Sequence, residues 1–172
     1  MNTIQEPTAL FVVRCQPGLH YGHLDALKQV IAQGIKNIII GVGSANEELT
    51  VKNPWTYDER VEMIKKSSLD LDANITVAPI PDFGNNEKWK QYILDTLPPF
   101  DTILSGNPWV AEAFHDAGKK IFVPKINNII KSTHLRDSLK EGNFFGLFDK
   151  IPQPVIDYLK EIKSTQRLRD IE

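Results

Sequence analysis

The sequence predicts an α/β fold: a doubly wound parallel five-stranded sheet of the Rossmann-like kind, with helices in the C-terminal part of the chain. Three observations support this fold class. Short apolar runs recur along the chain, and each is followed by a segment whose apolar residues have helical spacing. Glycine and proline residues separate the two kinds of segment. Strands that alternate with helices are typical of parallel sheets whose right-handed crossovers place helices on both faces.

The first strand–helix unit has the clearest signals. Residues 9–13 form an apolar run that predicts a buried strand, and residues 24–32 have the spacing of an amphipathic helix. Gly34 follows this helix at a position typical of a C-terminal cap. Residues 37–43 then predict the second buried strand.

The middle of the chain repeats this alternation. A loop over 44–55 precedes Thr56, and Glu59 three residues later predicts a capping box at the start of the second helix. The other predicted strands are residues 75–80, 100–104 and 120–124, and the other predicted helices are residues 89–97, 108–117, 132–140 and 152–162. The segment Arg167-Leu168-Arg169 is expected to be a solvated tail.

Length and composition limit the possible classes of protein. A chain of 172 residues predicts a single domain, residues 1–172, with a helical part from about residue 131. The net charge of −2 argues against a general nucleic-acid binder. The single cysteine, Cys15, fits a reducing compartment and is interpreted as a packing residue. With no apolar run of membrane-spanning length and no leader pattern over residues 1–8, we expect no membrane and a cytoplasmic protein.

The turn between the first strand and the first helix carries the main candidate site. Gln16-Pro17-Gly18 predicts a turn, and His20, Gly22 and His23 follow it. Ligands of open α/β sheets bind at the carboxyl ends of the strands, and helix amino ends favour anions. The two imidazoles are therefore expected to face an anionic ligand.

This stretch, Arg14-Cys15-Gln16-Pro17-Gly18-Leu19-His20-Tyr21-Gly22-His23, resembles the HxGH signature of the nucleotidyltransferase superfamily. With Arg14, Gln16 and Pro17 it is most similar to the archaeal-type nicotinamide-mononucleotide (NMN) adenylyltransferases. Further matching segments are residues 38–45, Asn53-Pro54 with Glu59-Arg60, Pro81-Asp82 with Trp89, Gly106-Asn107, and Thr133 with Arg136. The resemblance covers residues 9–169. It rests on the combination of these motifs.

The resemblance implies that the protein joins NMN to ATP and releases pyrophosphate, with Mg²⁺ accompanying ATP and no metal-ligating residues of its own. It implies His20, His23, Arg14 and Arg136 as the catalytic residues. The residues implied for ATP binding are Gln16, Pro17, Gly22, Gly106, Lys131, Ser132 and Thr133. The residues implied for NMN binding are Gly41, Ser44, Asn53, Arg60, Asp82, Asn85, Asn86, Trp89 and Asn107.

Three departures from the family pattern leave alternatives open. Val13 replaces a glycine, Gly18-Leu19 adds one residue to the loop, and Lys131 replaces a serine. One alternative is a sister enzyme for nicotinate mononucleotide, FMN or phosphopantetheine. Another is a catalytically weakened nucleotide-binding regulator. The His-x-x-His spacing could hold zinc, but no further ligand at suitable spacing completes such a site. The family often forms multimers, so a homo-oligomer is compatible with the resemblance.

Overall fold

The computed structural model describes residues 6–171 and contains a parallel sheet with the strand order β3-β2-β1-β4-β5. The strands are β1 (Thr8–Val13), β2 (Asn37–Gly43), β3 (Asn74–Ile80), β4 (Thr102–Leu104) and β5 (Lys120–Phe122). The helices are α1 (Tyr21–Ala32), α2 (Tyr57–Ser67), α3 (Asn86–Thr96), α4 (Pro108–Ala113), α5 (Ser132–Glu141), α6 (Gln153–Glu161) and α7 (Ser164–Asp170). The predicted α/β class and parallel sheet are confirmed. Part of the segment examined for a leader, residues 1–5, lies outside the described residues.

Strand β1 lies at the centre of the sheet because it is apolar on both faces. It pairs in parallel with β2 on one side and β4 on the other. Ala9 and Phe11 face one hydrophobic core, with Leu27 of α1, whereas Leu10 faces a second core with Ile93 of α3. The chain order reverses between β1 and β4, and this reversal opens a crevice at the carboxyl edge of the sheet.

Local capping signals define the starts of several helices. The capping box of Thr56 and Glu59 at α2 is confirmed, because the Thr56 hydroxyl accepts from the Glu59 N–H and the Glu59 carboxylate accepts from the Thr56 N–H. Helix α1 begins three residues earlier than the apolar spacing indicated, since His20 caps it. Helix α5 begins at Ser132, as the predicted range 132–140 indicated, and its N-cap residue, Lys131, makes no side-chain cap.

The carboxyl-terminal residues form a third hydrophobic core rather than a solvated tail. Helix α7 buries Leu168 among α5 and α6 and the indole of Trp55. Arg167 forms an ion pair with Glu59 of α2, and Arg169 donates to the Lys140 carbonyl. The tail prediction is wrong because these stabilising contacts are distant in the sequence. No helix within residues 6–171 is both long enough and apolar enough to cross a membrane.

The same core fixes the far end of the loop over residues 44–55. The Trp55 indole is completely buried, and its Nε1–H donates to the Ser164 hydroxyl at 3.0 Å. Because a buried donor without a partner is costly, this bond holds the loop end against α7. The carboxyl-terminal helices therefore support a loop that borders the crevice.

Candidate active site

Three cavities lie at the carboxyl edge of the sheet, and all of them contact Arg14. The aromatic cavity, of about 450 Å³, includes Trp89 and Trp109, with Asp82 and the Asn85–Asn86 pair. The cationic cavity, of about 510 Å³, is lined by Val13, Arg14, Cys15, Gln16, His23, Lys52, Ser132, Thr133 and Arg136. The loop cavity, of about 430 Å³, is lined by Arg14, Ser44, Glu47, Thr50, Val51, Lys52, Asn53 and Asp82. The exposed Arg14 side chain therefore lies where the three cavities meet.

The turn between β1 and α1 shapes the cationic cavity. Cys15 and Gly18 have positive φ angles of 56° and 49°. A Cβ on Gly18 would come within 3.1 Å of both Met63 and Ser67, so this added loop residue lies where a glycine is required. The Arg136 guanidinium donates to the Gln16 carbonyl at 3.1 Å and ties α5 to the turn.

The two histidines stack but have different places in the site. Their rings lie 3.6 Å apart, inclined by 15°. His23 lines the cationic cavity, whereas His20 is almost fully buried and does not line any of the three cavities. His20 Nδ1 accepts a hydrogen bond of 3.2 Å from the backbone N–H of His23, so the proton of neutral His20 is on Nε2. His20 therefore positions His23.

Burial keeps both imidazoles neutral. It lowers the pKa of His20 to about 4, and burial together with the neighbouring His20 lowers the pKa of His23 to about 3. The buried Nδ1 of His23 has no hydrogen-bond partner within the described part of the chain. At neutral pH the pair can donate hydrogen bonds, but it adds no positive charge to the cavity.

The aromatic cavity joins an apolar wall to convergent amide groups. Trp89 is largely buried on α3 and packs against Trp109 of α4 with ring centroids 5.1 Å apart. Both Asn85 and Asn86 line the cavity, and Asn85 also caps α3 through its side-chain oxygen. Such a site suits a flat ring that carries a polar substituent.

Gly41 and Arg60 were both expected at the NMN site, and the structure places them elsewhere. Gly41 lies inside the sheet, where a Cβ would come within 2.3 Å of the Ile80 side chain. Arg60 is completely buried, and its strongest bonds go to the carbonyls of Gly43 at 2.9 Å and Ser44 at 3.2 Å. Its guanidinium therefore organises the loop that leaves β2, which corrects the ligand-contact expectation.

All of the expected site residues, Gly41 and Arg60 included, divide into two groups. Those that line at least one of the three cavities are Arg14, Gln16, His23, Ser44, Asn53, Asp82, Asn85, Asn86, Trp89, Asn107, Ser132, Thr133 and Arg136. Those that do not are Pro17, His20, Gly22, Gly41, Arg60, Gly106 and Lys131. Two residues that line the cavities were not expected from the sequence. Trp109 was missed although Asn107-Pro108 before it is a helix-start signal. Lys52 was missed because the loop sequence offers no signal for it.

The residues present do not form a metal cage of their own. Across residues 6–171 no group of three or more His, Cys, Asp or Glu side chains is arranged to hold a metal ion. Asp82 and Glu47 are the carboxylates on the loop cavity, and they lie beside the cations Arg14 and Lys52. A divalent ion at this site would be held mainly by the phosphates of a bound nucleotide.

Comparison with known proteins identifies the family of this chain. A family model described as cytidylyltransferase-like matches residues 18–138. The chain is 36% identical to the nicotinamide-nucleotide adenylyltransferase of Pyrococcus horikoshii over 94% of its own length and 87% of the relative. It is also 36% identical to the enzyme of that name from Archaeoglobus fulgidus, over 95% of its own length and 96% of the relative.

Solved structures agree on the fold. The bifunctional NMN adenylyltransferase/ADP ribose pyrophosphatase from Francisella tularensis matches with a TM-score of 0.74 at 20% identity, over 97% of this chain and 52% of that one. A second structure of that protein contains AMP and a manganese ion. The chain thus spans about half of the bifunctional protein.

The family match and the curated relatives define the chain as a nucleotidyltransferase. The chain belongs to the cytidylyltransferase-like family. Within that family its similarity is to the nicotinamide-nucleotide adenylyltransferases, so the recognition made from the motifs is confirmed.

Proposed function

We infer that this protein is a nicotinamide-nucleotide adenylyltransferase, which converts NMN and ATP to NAD and pyrophosphate. The observation that carries the proposal is the position of Arg14, on the wall of both the aromatic and the cationic cavity. A flat ring and a triphosphate bound in these two cavities would bring their phosphates together at one cation. The curated relatives of the same name support the choice of substrates.

In the proposed arrangement the nicotinamide ring stacks on Trp89 and its amide meets Asn86 in the aromatic cavity. The triphosphate lies in the cationic cavity against Arg136 and the hydroxyls of Ser132 and Thr133, at the start of α5. Those hydroxyls are not used as helix caps and are therefore free to donate to phosphate oxygens. The amino end of α5 adds a favourable field for an anion.

The chemical step is a direct displacement. A phosphate oxygen of NMN attacks the α-phosphorus of ATP, the bond from that phosphorus to the β-phosphate oxygen breaks, and pyrophosphate leaves. The NMN phosphate is largely dianionic at neutral pH, so the attack needs no general base. His23 donates a hydrogen bond to the charge that develops on the transferred phosphoryl group, and His20 holds its ring.

Divalent cations accompany the nucleotide in this proposal. The manganese ion in the Francisella tularensis structure supports the use of a divalent cation. We propose Mg²⁺ because it prefers phosphate oxygens and water to an all-protein cage. MgATP and NMN are the proposed substrates, and a cytoplasmic location is proposed with them.

A panel of phosphate acceptors tests the proposal. Purified protein is given ATP, Mg²⁺ and either NMN, nicotinate mononucleotide, FMN or phosphopantetheine, and pyrophosphate release is measured for each. We expect release with NMN, together with NAD that a coupled dehydrogenase can reduce. Release with FMN or phosphopantetheine but not with NMN would contradict the proposed substrate, and no release with any acceptor would favour a regulatory nucleotide-binding protein.

A further inference from the structure

Trp109 lies on the border between the aromatic cavity and a fourth cavity, and neither the motifs nor the relatives' names assign it a role. The fourth cavity has a volume of about 610 Å³, and most of its wall comes from α3 and α4. We call it the acidic cavity, since three carboxylates line it beside one lysine. Asn86 and Trp109 are the two residues that the aromatic and acidic cavities share.

The backbone of Trp109 is tied to the sheet by a short series of hydrogen bonds. The Trp109 N–H donates to the side-chain oxygen of Asn107, and the Asn107 N–H donates to the Ser105 hydroxyl, both at 3.0 Å. The Ser105 N–H in turn donates to the carbonyl of Phe122, in β5, at 3.1 Å. The place where the indole leaves α4 is therefore fixed by the strands that carry the candidate site.

The two indoles of the aromatic cavity differ in exposure. Trp89 is 8% exposed and packs against Phe114, with ring centroids 5.8 Å apart. Trp109 is 42% exposed, and its ring is inclined by 46° to that of Trp89. Trp109 therefore has the more open aromatic surface of the two, on the wall of the cavity that suits a flat ring.

The aromatic cavity has two borders of different character. It shares Val13 and Arg14 with the cationic cavity, whereas it shares Asn86 and Trp109 with the acidic cavity. The phosphate of a mononucleotide is attracted to the Arg14 guanidinium. The ring of the same mononucleotide is then directed toward the border formed by Trp109.

The charges beyond Trp109 are mainly negative. Lys90 forms ion pairs with Glu87 at 3.2 Å and with Asp116 at 3.3 Å, so its single positive charge faces two carboxylates. The Glu112 carboxylate lines the same cavity and adds a third negative charge. A ligand that reaches Trp109 therefore approaches an excess of negative charge, which favours a cationic group.

We propose that Trp109 is a specificity-determining residue that selects a positively charged ring, so that the aromatic cavity prefers the pyridinium of oxidised NMN to uncharged analogues of similar shape. The inference rests on the proposed function and names the property of the ring that the site recognises. The face of an indole attracts a cation, and the carboxylates beyond it favour the same charge. Reduced NMN has an uncharged dihydropyridine ring, and nicotinate mononucleotide has a carboxylate that cancels the charge of its ring. Both are therefore expected to be poorer substrates than NMN.

Substitution of Trp109 tests this selectivity. Wild type should use NMN with a kcat/KM roughly three- to thirtyfold above that for reduced NMN, the range expected of a cation–π contact at a partly desolvated site. In Trp109→Leu this ratio should fall by roughly threefold or more, whereas Trp109→Phe should keep part of it. The KM for ATP should stay within about twofold of wild type in both variants.

Phe145→Leu is the matched control for the loss of an aromatic ring. Phe145 is 83% exposed in the C-terminal part of the chain and lines none of the four cavities around the candidate site. This variant should keep the wild-type ratio of kcat/KM for NMN and reduced NMN. A ratio that falls as far in Phe145→Leu as in Trp109→Leu would overturn the inference.

Binding without ATP separates selectivity for charge from a general loss of fit. In calorimetric titrations, Trp109→Leu should bind NMN roughly threefold or more weakly than wild type does, and its affinity for reduced NMN should change by a smaller factor. Equal losses for the two ligands would show that Trp109 only packs the cavity wall. A lower melting temperature with an unchanged ratio of affinities would show the same, and either result would overturn the inference.

The two proposals can fail separately. If wild type makes no NAD, the proposed function fails, and the titrations with NMN and reduced NMN still decide whether Trp109 selects the charged ring. If wild type makes NAD but uses NMN and reduced NMN equally well, only the Trp109 inference fails. The same conclusion follows if Trp109→Leu keeps the wild-type ratio within about twofold. Failure of wild type to bind NMN at all would overturn both.

Discussion

Replacing Arg60 by methionine separates a structural role from a substrate-binding role. The guanidinium is fully buried and donates to the carbonyls of Gly43 and Ser44 at 2.9 and 3.2 Å. Longer bonds of 3.4 to 3.5 Å reach the carbonyls of Arg14, Thr56 and Glu47. Methionine fills similar space but donates nothing, so the Gly43 carbonyl loses this donor. The Ser44 carbonyl still accepts from the Glu47 N–H, and the Thr56 carbonyl still accepts from the N–H of residue 60.

The expected cost follows from the two shorter bonds. Each hydrogen bond from a charged donor contributes about 1.5–3 kcal/mol, so the two shorter bonds together contribute about 3–6 kcal/mol. Removing a buried charge returns part of this, because the desolvation of the guanidinium is no longer required. We therefore expect Arg60→Met to lower the free energy of unfolding by about 2–4 kcal/mol.

Urea unfolding followed by circular dichroism measures this change. Arg169→Met is the control, since Arg169 is exposed and its side chain donates a hydrogen bond to the Lys140 carbonyl. This variant should lose less than about 1 kcal/mol of unfolding free energy. The reasoning would be refuted if Arg60→Met unfolds within about 1 kcal/mol of wild type while its KM for NMN rises tenfold or more. That combination would make Arg60 a substrate contact.

Three further predictions concern the histidines and the carboxyl-terminal helix. His23→Ala should lower kcat by about 10²–10³ without a change in the circular dichroism spectrum. The control is His115→Ala, at an exposed position, which should keep the wild-type kcat. A near-normal rate for His23→Ala would exclude His23 from the chemistry. The pKa values of folded His20 and His23, about 4 and about 3, lie below the unfolded value, so their contribution to stability is complete above about pH 6.5 and is lost as the pH falls. Between pH 7.5 and pH 5, urea unfolding should therefore show a smaller loss of unfolding free energy in His23→Asn than in wild type. Equal losses in the two proteins would contradict the assignment. Leu168→Ala should lower the free energy of unfolding by about 2–4 kcal/mol in the same assay. The control, Leu69→Ala at an exposed position, should lower it by less than about 0.5 kcal/mol. Similar values for both variants would mean that α7 does not pack as described.

The parts of the fold that could be predicted from sequence are those with local causes. The apolar run of β1 and the capping box of α2 need only neighbouring residues to be recognised. The parallel sheet with helices on both faces also follows from a general rule, because alternating strands and helices with right-handed crossovers leave few topologies. The family motifs then predicted most of the residues that line the aromatic and cationic cavities.

The parts that could not be predicted depend on contacts far apart in sequence. Helix α7 is short and has little apolar spacing of its own, and it is stabilised by Glu59 and by Leu139, whose carbonyl accepts from Thr165. Arg60 was expected at the NMN site because its carbonyl partners, which lie up to 46 residues away along the chain, cannot be recognised from the sequence. The position of Lys52 depends on the Gln16–Asn53 bond, which joins two separate loops.

The measurement that most directly tests the account is the KM for each substrate in two variants, one from each main cavity. If the aromatic cavity holds the nicotinamide ring and the cationic cavity holds the triphosphate, Trp89→Ala should raise the KM for NMN by roughly tenfold or more and leave the KM for ATP within about twofold. Arg136→Met should do the reverse. Equal effects of both variants on both substrates, or an effect of Trp89→Ala on ATP alone, would contradict the division of the site on which the proposed function depends.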